Sequence, residues 1–133
     1  MSTIAWIDET IATIYPTMYP LEHDGHKILE IYSIHEARER LQEILAADVI
    51  ICELRLSDGM RGSFPGLNFI DELHAGSNKV PPVVIFSTAA NSVSARRYKE
   101  LDIKDVIQKP VQPSALQAAI ERIFNATPAL SFG

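Results

Sequence analysis

Six side chains able to do chemistry stand at the ends of short apolar runs. Ile4-Ala5-Trp6-Ile7 stops at Asp8-Glu9, Val49-Ile50-Ile51-Cys52 stops at Glu53, Val83-Val84-Ile85-Phe86 stops at Ser87-Thr88, and the run through Ile107 leads into Lys109-Pro110. If they meet, three carboxylates, two hydroxyls and one lysine share a site whose charge is −2 with every group ionised. Hard oxygen donors carrying surplus negative charge suit magnesium, which takes one or two carboxylates together with waters and phosphate oxygens.

Whether they meet depends on the elements that carry them. The apolar pattern switches between short continuous runs and helical spacing. Strands are predicted at 4–7, 27–32, 49–54, 83–86 and 103–107. Helical spacing covers 11–22, where Pro16 and Pro20 should bend or shorten the helix, and continues in Ile34, Ala37, Leu41, Ile44 and Leu45. Ser33 is the expected N-cap of that second helix, with Glu36 completing a capping box. Leu67, Phe69, Ile70 and Leu73 mark a third helix, Ala95, Tyr98 and Leu101 a fourth, and 114–124 a fifth. His23-Asp24-Gly25 reads as a turn.

Strands alternating with helices make βαβ units, and continuous apolar strands imply a parallel sheet covered on both faces. Five strands and five helices suit the α/β, flavodoxin-like doubly wound three-layer sandwich with strand order 2-1-3-4-5. In that layout ligands bind at the carboxyl ends of the strands, where all six residues lie. One domain is expected over 1–125, with a short frayed tail at 126–133.

Composition narrows the function. The chain has 133 residues, a formal charge of −5, 47% apolar and 22% charged residues. Without a basic run or face it lacks what phosphate-backbone binding requires, so no direct nucleic-acid partner is expected. No apolar stretch approaches the roughly 20 residues that span a bilayer, and no signal-peptide pattern opens the chain. Cys52, the single cysteine, fits a reducing compartment. The expectation is a cytoplasmic protein with no membrane contact.

Four pieces in order, the acidic pair in IAWIDET, the third strand in ADVIICELRLSDG, the hydroxyl strand in PPVVIFSTA and the lysine-proline in DVIQKP, resemble a response-regulator receiver domain of two-component signalling. The stretch ARRYKELDIKDVIQKP also follows the family's usual fourth-helix-to-fifth-strand sequence. The resemblance runs over about 3–124. It implies that Asp8, Glu9 and the backbone carbonyl of Arg55 hold Mg2+, that Glu53 stands at the phosphoacceptor position, that Ser87 is the switch hydroxyl and that Lys109 contacts phosphate. It also implies a signalling module with no enzymatic role and no catalytic residue. Its partners would be proteins: a histidine kinase, a phosphotransfer protein or an output protein. The chain contains no DNA-binding or enzymatic output domain, so output is expected to pass through another protein. Oligomeric state stays open.

Three departures from the family pattern shape the functional expectation. Glu53 stands where the family has aspartate, and its carboxylate reaches one carbon–carbon bond, about 1.5 Å, further. An acyl phosphate there misses the geometry that catalytic constellations hold to about 0.5 Å, whereas the carboxylate itself can reach Lys109 and mimic a phosphate. Any bound Mg2+ would then be weak or absent. Val106 replaces the family's aromatic switch with a stiff β-branched side chain. The loop 57–65, before the glycine at Gly66, is longer than usual and is either a partner surface or a tolerated insertion. Glu53 and Val106 together point to a pseudo-receiver that acts by protein–protein interaction. The alternatives are a working receiver in which Glu53, Ser57 or Asp58 accepts phosphate, and a flavodoxin-like nucleotide or flavin module. The last needs a phosphate-cradling first loop, and Asp8-Glu9 with no glycine supplies none. Trp6, Phe86 and Cys52 read as core. His23 and His26 read as solvated turn residues and not as metal ligands. Asn125-Ala126-Thr127 matches a glycosylation pattern that a cytoplasmic chain never uses.

Overall fold

The computed structural model describes residues 2–58 and 64–126. Five strands, β1 (Thr3–Ile7), β2 (Lys27–Ile31), β3 (Val49–Cys52), β4 (Val83–Ser87) and β5 (Ile103–Gln108), form one sheet in the order β2-β1-β3-β4-β5, with every pairing parallel. This is the flavodoxin-like arrangement expected from the sequence. Side chains alternate between the two faces of a strand, so each apolar strand feeds two cores. Ile4, Trp6, Val49, Ile51, Val84 and Phe86 pack under helices α1 (Ile11–His23) and α6 (Pro113–Ala126). Ala5, Ile7, Ile50, Cys52, Val83 and Ile85 pack on the other side, under α2 (Ile34–Glu39), α3 (Leu41–Leu45), α4 (Pro65–Gly76) and α5 (Ala95–Glu100). No helix among the described residues is long and apolar enough to cross a membrane.

Six α-helices replace the expected five, because the second is divided at Arg40. Its backbone turns to φ −111° and ψ 30°, closing α2 while opening α3. The guanidinium explains the break: it reaches back to the Glu30 carbonyl at 3.2 Å and pairs with Glu36 at 3.0 Å and Glu43 at 2.9 Å. Ser33 caps α2 as expected, its hydroxyl accepting from the Glu36 N–H at 2.9 Å. The reciprocal arm is shifted by one residue, since Glu36 Oε1 accepts from the Tyr32 N–H at 2.8 Å.

Prolines do not shorten the first helix. α1 runs 13 residues with Pro16 and Pro20 inside it. Ala12, the residue four before Pro16, is exposed along with Pro16 itself, so the carbonyl that loses its helical N–H partner faces water. The helix ends at the predicted turn, where Gly25 takes φ 97° and donates its N–H to the Glu22 carbonyl at 2.9 Å. The last helix reaches Ala126, two residues past its predicted end, and the tail expected to fray lies from 127 onward, outside the described residues.

One close approach fixes the junction beside the strand ends. The Gly66 N–H donates to the Leu54 carbonyl at 3.0 Å. A Cβ on Gly66 would lie 1.9 Å from the Glu53 carbonyl oxygen, a backbone atom with no rotamer to yield. Gly66→Ala is therefore expected to cost at least the about 1–3 kcal/mol typical of overpacking. Urea unfolding should show a lowered midpoint with an unchanged slope.

Candidate functional site

Register brings the strand ends to one edge. Ile7 pairs with Cys52, Cys52 with Ile85, and Ser87 with Gln108. The next residues therefore stand side by side, with the Glu53 N–H on the Ile7 carbonyl at 2.9 Å and the Lys109 N–H on the Ser87 carbonyl at 3.0 Å. Lys109 precedes Pro110 through a cis peptide bond.

Lys109 Nζ lies between two carboxylates, 2.7 Å from Asp8 Oδ2 and 2.9 Å from Glu53 Oε1. The three side chains are only 10%, 1% and 9% exposed, in the order Lys109, Asp8, Glu53. Buried charges persist when paired and fully hydrogen-bonded, and here every carboxylate oxygen has a donor. Asp8 Oδ1 accepts from the Thr10 N–H at 2.7 Å and the Thr10 hydroxyl at 2.6 Å. Glu53 Oε2 accepts from the N–H groups of Leu54 at 2.8 Å and Arg55 at 3.2 Å. The ammonium also sits 5.2 Å above the Phe86 ring, a cation–π distance. Burial acts to lower the Lys109 pKa, but the hydrogen bonds to Asp8 and Glu53 outweigh it and hold the pKa above its ordinary value.

The other expected residues separate from this triad. Glu9 turns away: its Oε1 accepts from the Ser57 N–H at 2.8 Å and the Ser57 hydroxyl at 2.9 Å. Arg55, expected to offer its carbonyl, donates its N–H to Glu53 Oε2 at 3.2 Å. Ser87 is fully buried, and its hydroxyl accepts from the Ala89 N–H at 3.0 Å. Asp58, weighed as a substitute acceptor, caps α2 by accepting from the N–H groups of Ile34 at 3.0 Å and His35 at 2.9 Å. Cys52 is buried, and burial raises its thiol pKa strongly. His23 stacks on Tyr19 and His26 on Phe124, which separates them. The middle of the long loop, 59–63, lies outside the described residues.

As arranged, the carboxylates are paired within the protein. The lysine ammonium occupies the point toward which Asp8 and Glu53 both aim, and Glu9 is committed to Ser57. Among the described residues no three His, Cys, Asp or Glu side chains gather as a metal-holding set.

Two residues that sequence reasoning passed over complete the neighbourhood. The Gln108 amide spans from β5 to the loop after β4: Nε2 donates to the Thr88 carbonyl at 2.5 Å, and Oε1 accepts from the Asn91 N–H at 3.1 Å. Tyr98, buried on α5, donates its hydroxyl to the Ala90 carbonyl at 2.6 Å. Gln108 was detectable as a polar residue ending an apolar strand; Tyr98 reads as core until its hydroxyl partner is seen. Val106 is half-buried beside an open groove of about 520 Å³ that Ala90, Val93, Tyr98 and Ile103 help to line.

The ion triad makes stability depend on pH at the alkaline end. A raised folded-state lysine pKa contributes stability that is complete below the unfolded value of about 10.4 and is lost as pH rises through the folded value. Wild type is expected to lose stability above about pH 10.5, and Lys109→Met to show a shallower loss, the remainder coming from tyrosines such as Tyr98 whose pKa burial also raises. At neutral pH Lys109→Met leaves two buried carboxylates without their cation, at a cost of about 3 kcal/mol. Denaturant titrations of both proteins from pH 7 to 11 check the two outcomes.

The profile of the response regulator receiver domain matches residues 5–121. Among solved structures, a two-component response regulator from Clostridium difficile superimposes with a TM-score of 0.79 at 21% identity, covering 96% of this chain and 98% of that one. A receiver domain protein from Clostridium thermocellum gives 0.77 at 20% identity, covering 98% and 100%. A response regulator from Thermotoga maritima gives 0.76 at 19% identity, covering 95% and 99%. These likenesses concern the fold. No curated protein matches the chain.

Proposed function

This chain belongs to the response regulator receiver domain family, and from that premise we propose that it is a receiver whose phosphate cycle is disabled and whose output is carried by protein binding. One observation carries the reading: both oxygens of the Glu53 carboxylate, at the phosphoacceptor position, are already engaged. Oε1 holds the Lys109 ammonium at 2.9 Å, and Oε2 holds the backbone N–H groups of Leu54 and Arg55. A carboxylate in that state is a weaker nucleophile, since three donors hold its charge and the lysine that would receive a phosphoryl group's charge is already paired. Lys109, the residue expected to contact phosphate, is neutralised by Glu53 and Asp8.

In this reading Glu53 stands in for an acyl phosphate. It supplies one negative charge to Lys109 where a phosphoryl group supplies nearly two, and it does so permanently. Asp58 is a weak candidate as a substitute acceptor, since each of its carboxylate oxygens caps α2. The partners fall in the classes that receivers meet, histidine kinases, phosphotransfer proteins and output proteins, with recognition depending on the resting conformation and not on turnover.

The test is the intact mass of the purified protein after incubation with acetyl phosphate and Mg2+, beside Glu53→Asp treated identically. Only the variant is expected to gain a phosphoryl group. A phosphorylated wild type would overturn the proposal and require mapping of the acceptor. If neither protein reacts, the disabled cycle stands, but its cause extends beyond residue 53. Calorimetric titration with Mg2+ adds a second readout: wild type is expected to show no saturable binding in the low millimolar range, and Glu53→Asp to bind measurably more tightly.

A further inference from the structure

Among the described residues the large apolar side chains left exposed are Tyr15, Tyr19 and Tyr32, at 44%, 53% and 43%. They are not scattered. Tyr15 and Tyr19 are one helical turn apart on α1, with ring centroids separated by 6.2 Å. The Tyr32 hydroxyl donates to Glu30 at 2.5 Å, and that of Tyr15 to Glu22 at 2.8 Å. Glu30 pairs in register with Trp6, whose side chain packs under α1, so Glu30 and the Tyr32 hydroxyl bonded to it stand on the α1 side of β2. Tyr19 is braced by His23, with ring centroids 6.0 Å apart. The result is a set of rings, tethered by their hydroxyls and their neighbours, beside β2, the outermost strand of the sheet.

Rings held in place while about half exposed have already lost the rotamer freedom that binding would otherwise cost them. Their π-faces are negative and attract cations. Glu22 and Glu30 each commit a single oxygen to a tyrosine hydroxyl, and each has a second oxygen to offer a donor. A planar guanidinium suits both features, because it stacks on an aromatic face while its N–H groups bond to a carboxylate. The chain's formal charge of −5 draws such a partner in.

We propose that the Tyr15–Tyr19–Tyr32 face, with Glu22 and Glu30, docks an arginine-bearing segment of a partner protein. This surface does not involve the Glu53–Lys109 pair, so its failure and the failure of the phosphorylation reading are separate results.

The test is a titration of isotope-labelled full-length chain with a nonapeptide of three Arg-Gly-Gly repeats at low salt, followed by amide and tyrosine-ring chemical shifts. Saturable shifts are expected at Tyr15, Tyr19, Glu22, Glu30 and Tyr32, with several-fold weaker binding of the Lys-Gly-Gly counterpart. Tyr19→Leu, Tyr32→Leu and Glu30→Gln should each weaken binding by roughly two- to fivefold, with the remaining resonances unchanged as proof of folding. Leucine keeps the apolar bulk and removes the ring, so equal binding by both leucine variants would overturn the proposal. Shifts spread evenly over the acidic surface would overturn it too. So would concentration-dependent shifts at the same tyrosines without peptide, which would mean that the face binds a second copy of the chain.

Discussion

A single ammonium group shared by two buried carboxylates holds the strand ends in place. Asp8 follows β1, Glu53 follows β3 and Lys109 follows β5, so the triad ties the neighbouring strands β1 and β3 to β5, which lies beyond β4. Two carboxylates against one cation would be costly in a medium that solvates ions poorly. The surplus charge is offset by N–H and O–H donors: two from Thr10 on Asp8 and two from the Leu54 and Arg55 backbone on Glu53. The Leu54 and Arg55 donors depend on the chain turning sharply after β3. That turn is packed by the approach of Gly66 to the Glu53 carbonyl, which leaves no room for a side chain. The site's electrostatics and the close approach of Gly66 are therefore two sides of one constraint.

The loop after β4 is held by a second set of contacts, which depends on no phosphate. Ser87 bonds to the Ala89 N–H, Gln108 clamps Thr88 and Asn91, and Tyr98 pins the Ala90 carbonyl. Each bond alone is worth about 1 kcal/mol, but they act on five consecutive residues and so resist displacement together. With Val106 too short and too stiff to swing, the region lacks a side chain able to carry a large rotamer change from the site to the α5 surface.

Much of this was legible beforehand because it rests on local pattern. Continuous apolar strands ending in polar residues located the sheet, its order and the edge where Asp8, Glu53, Ser87 and Lys109 lie. What the pattern could not give was the direction of each side chain. Glu9 is as acidic as Asp8 and adjacent to it, yet it serves Ser57, because neighbouring residues leave a strand end in different directions. Asp58 looked like a free carboxylate in a loop, and its long-range capping of α2 depends on tertiary folding. Arg40 reads as one more polar position on a helix, and its division of that helix follows from a carbonyl on β2 that spacing along the chain cannot show. Pro16 and Pro20, expected to bend or shorten the first helix, do not shorten it, because the residues around Pro16 are exposed and a carbonyl left without its N–H can turn to water.

Trp6 is the chain's one tryptophan, fully buried, with its ring edge-on to Phe86 at 6.1 Å and its indole N–H without an acceptor among the described residues. Phe86 in turn lies beneath the Lys109 ammonium. The molecule thus carries an intrinsic chromophore two contacts from its charge triad, in surroundings dry enough for blue-shifted emission. A rearrangement that lifts Lys109 from Phe86 or admits water to the indole N–H would change that emission. The state of the site can therefore be followed by fluorescence without a label.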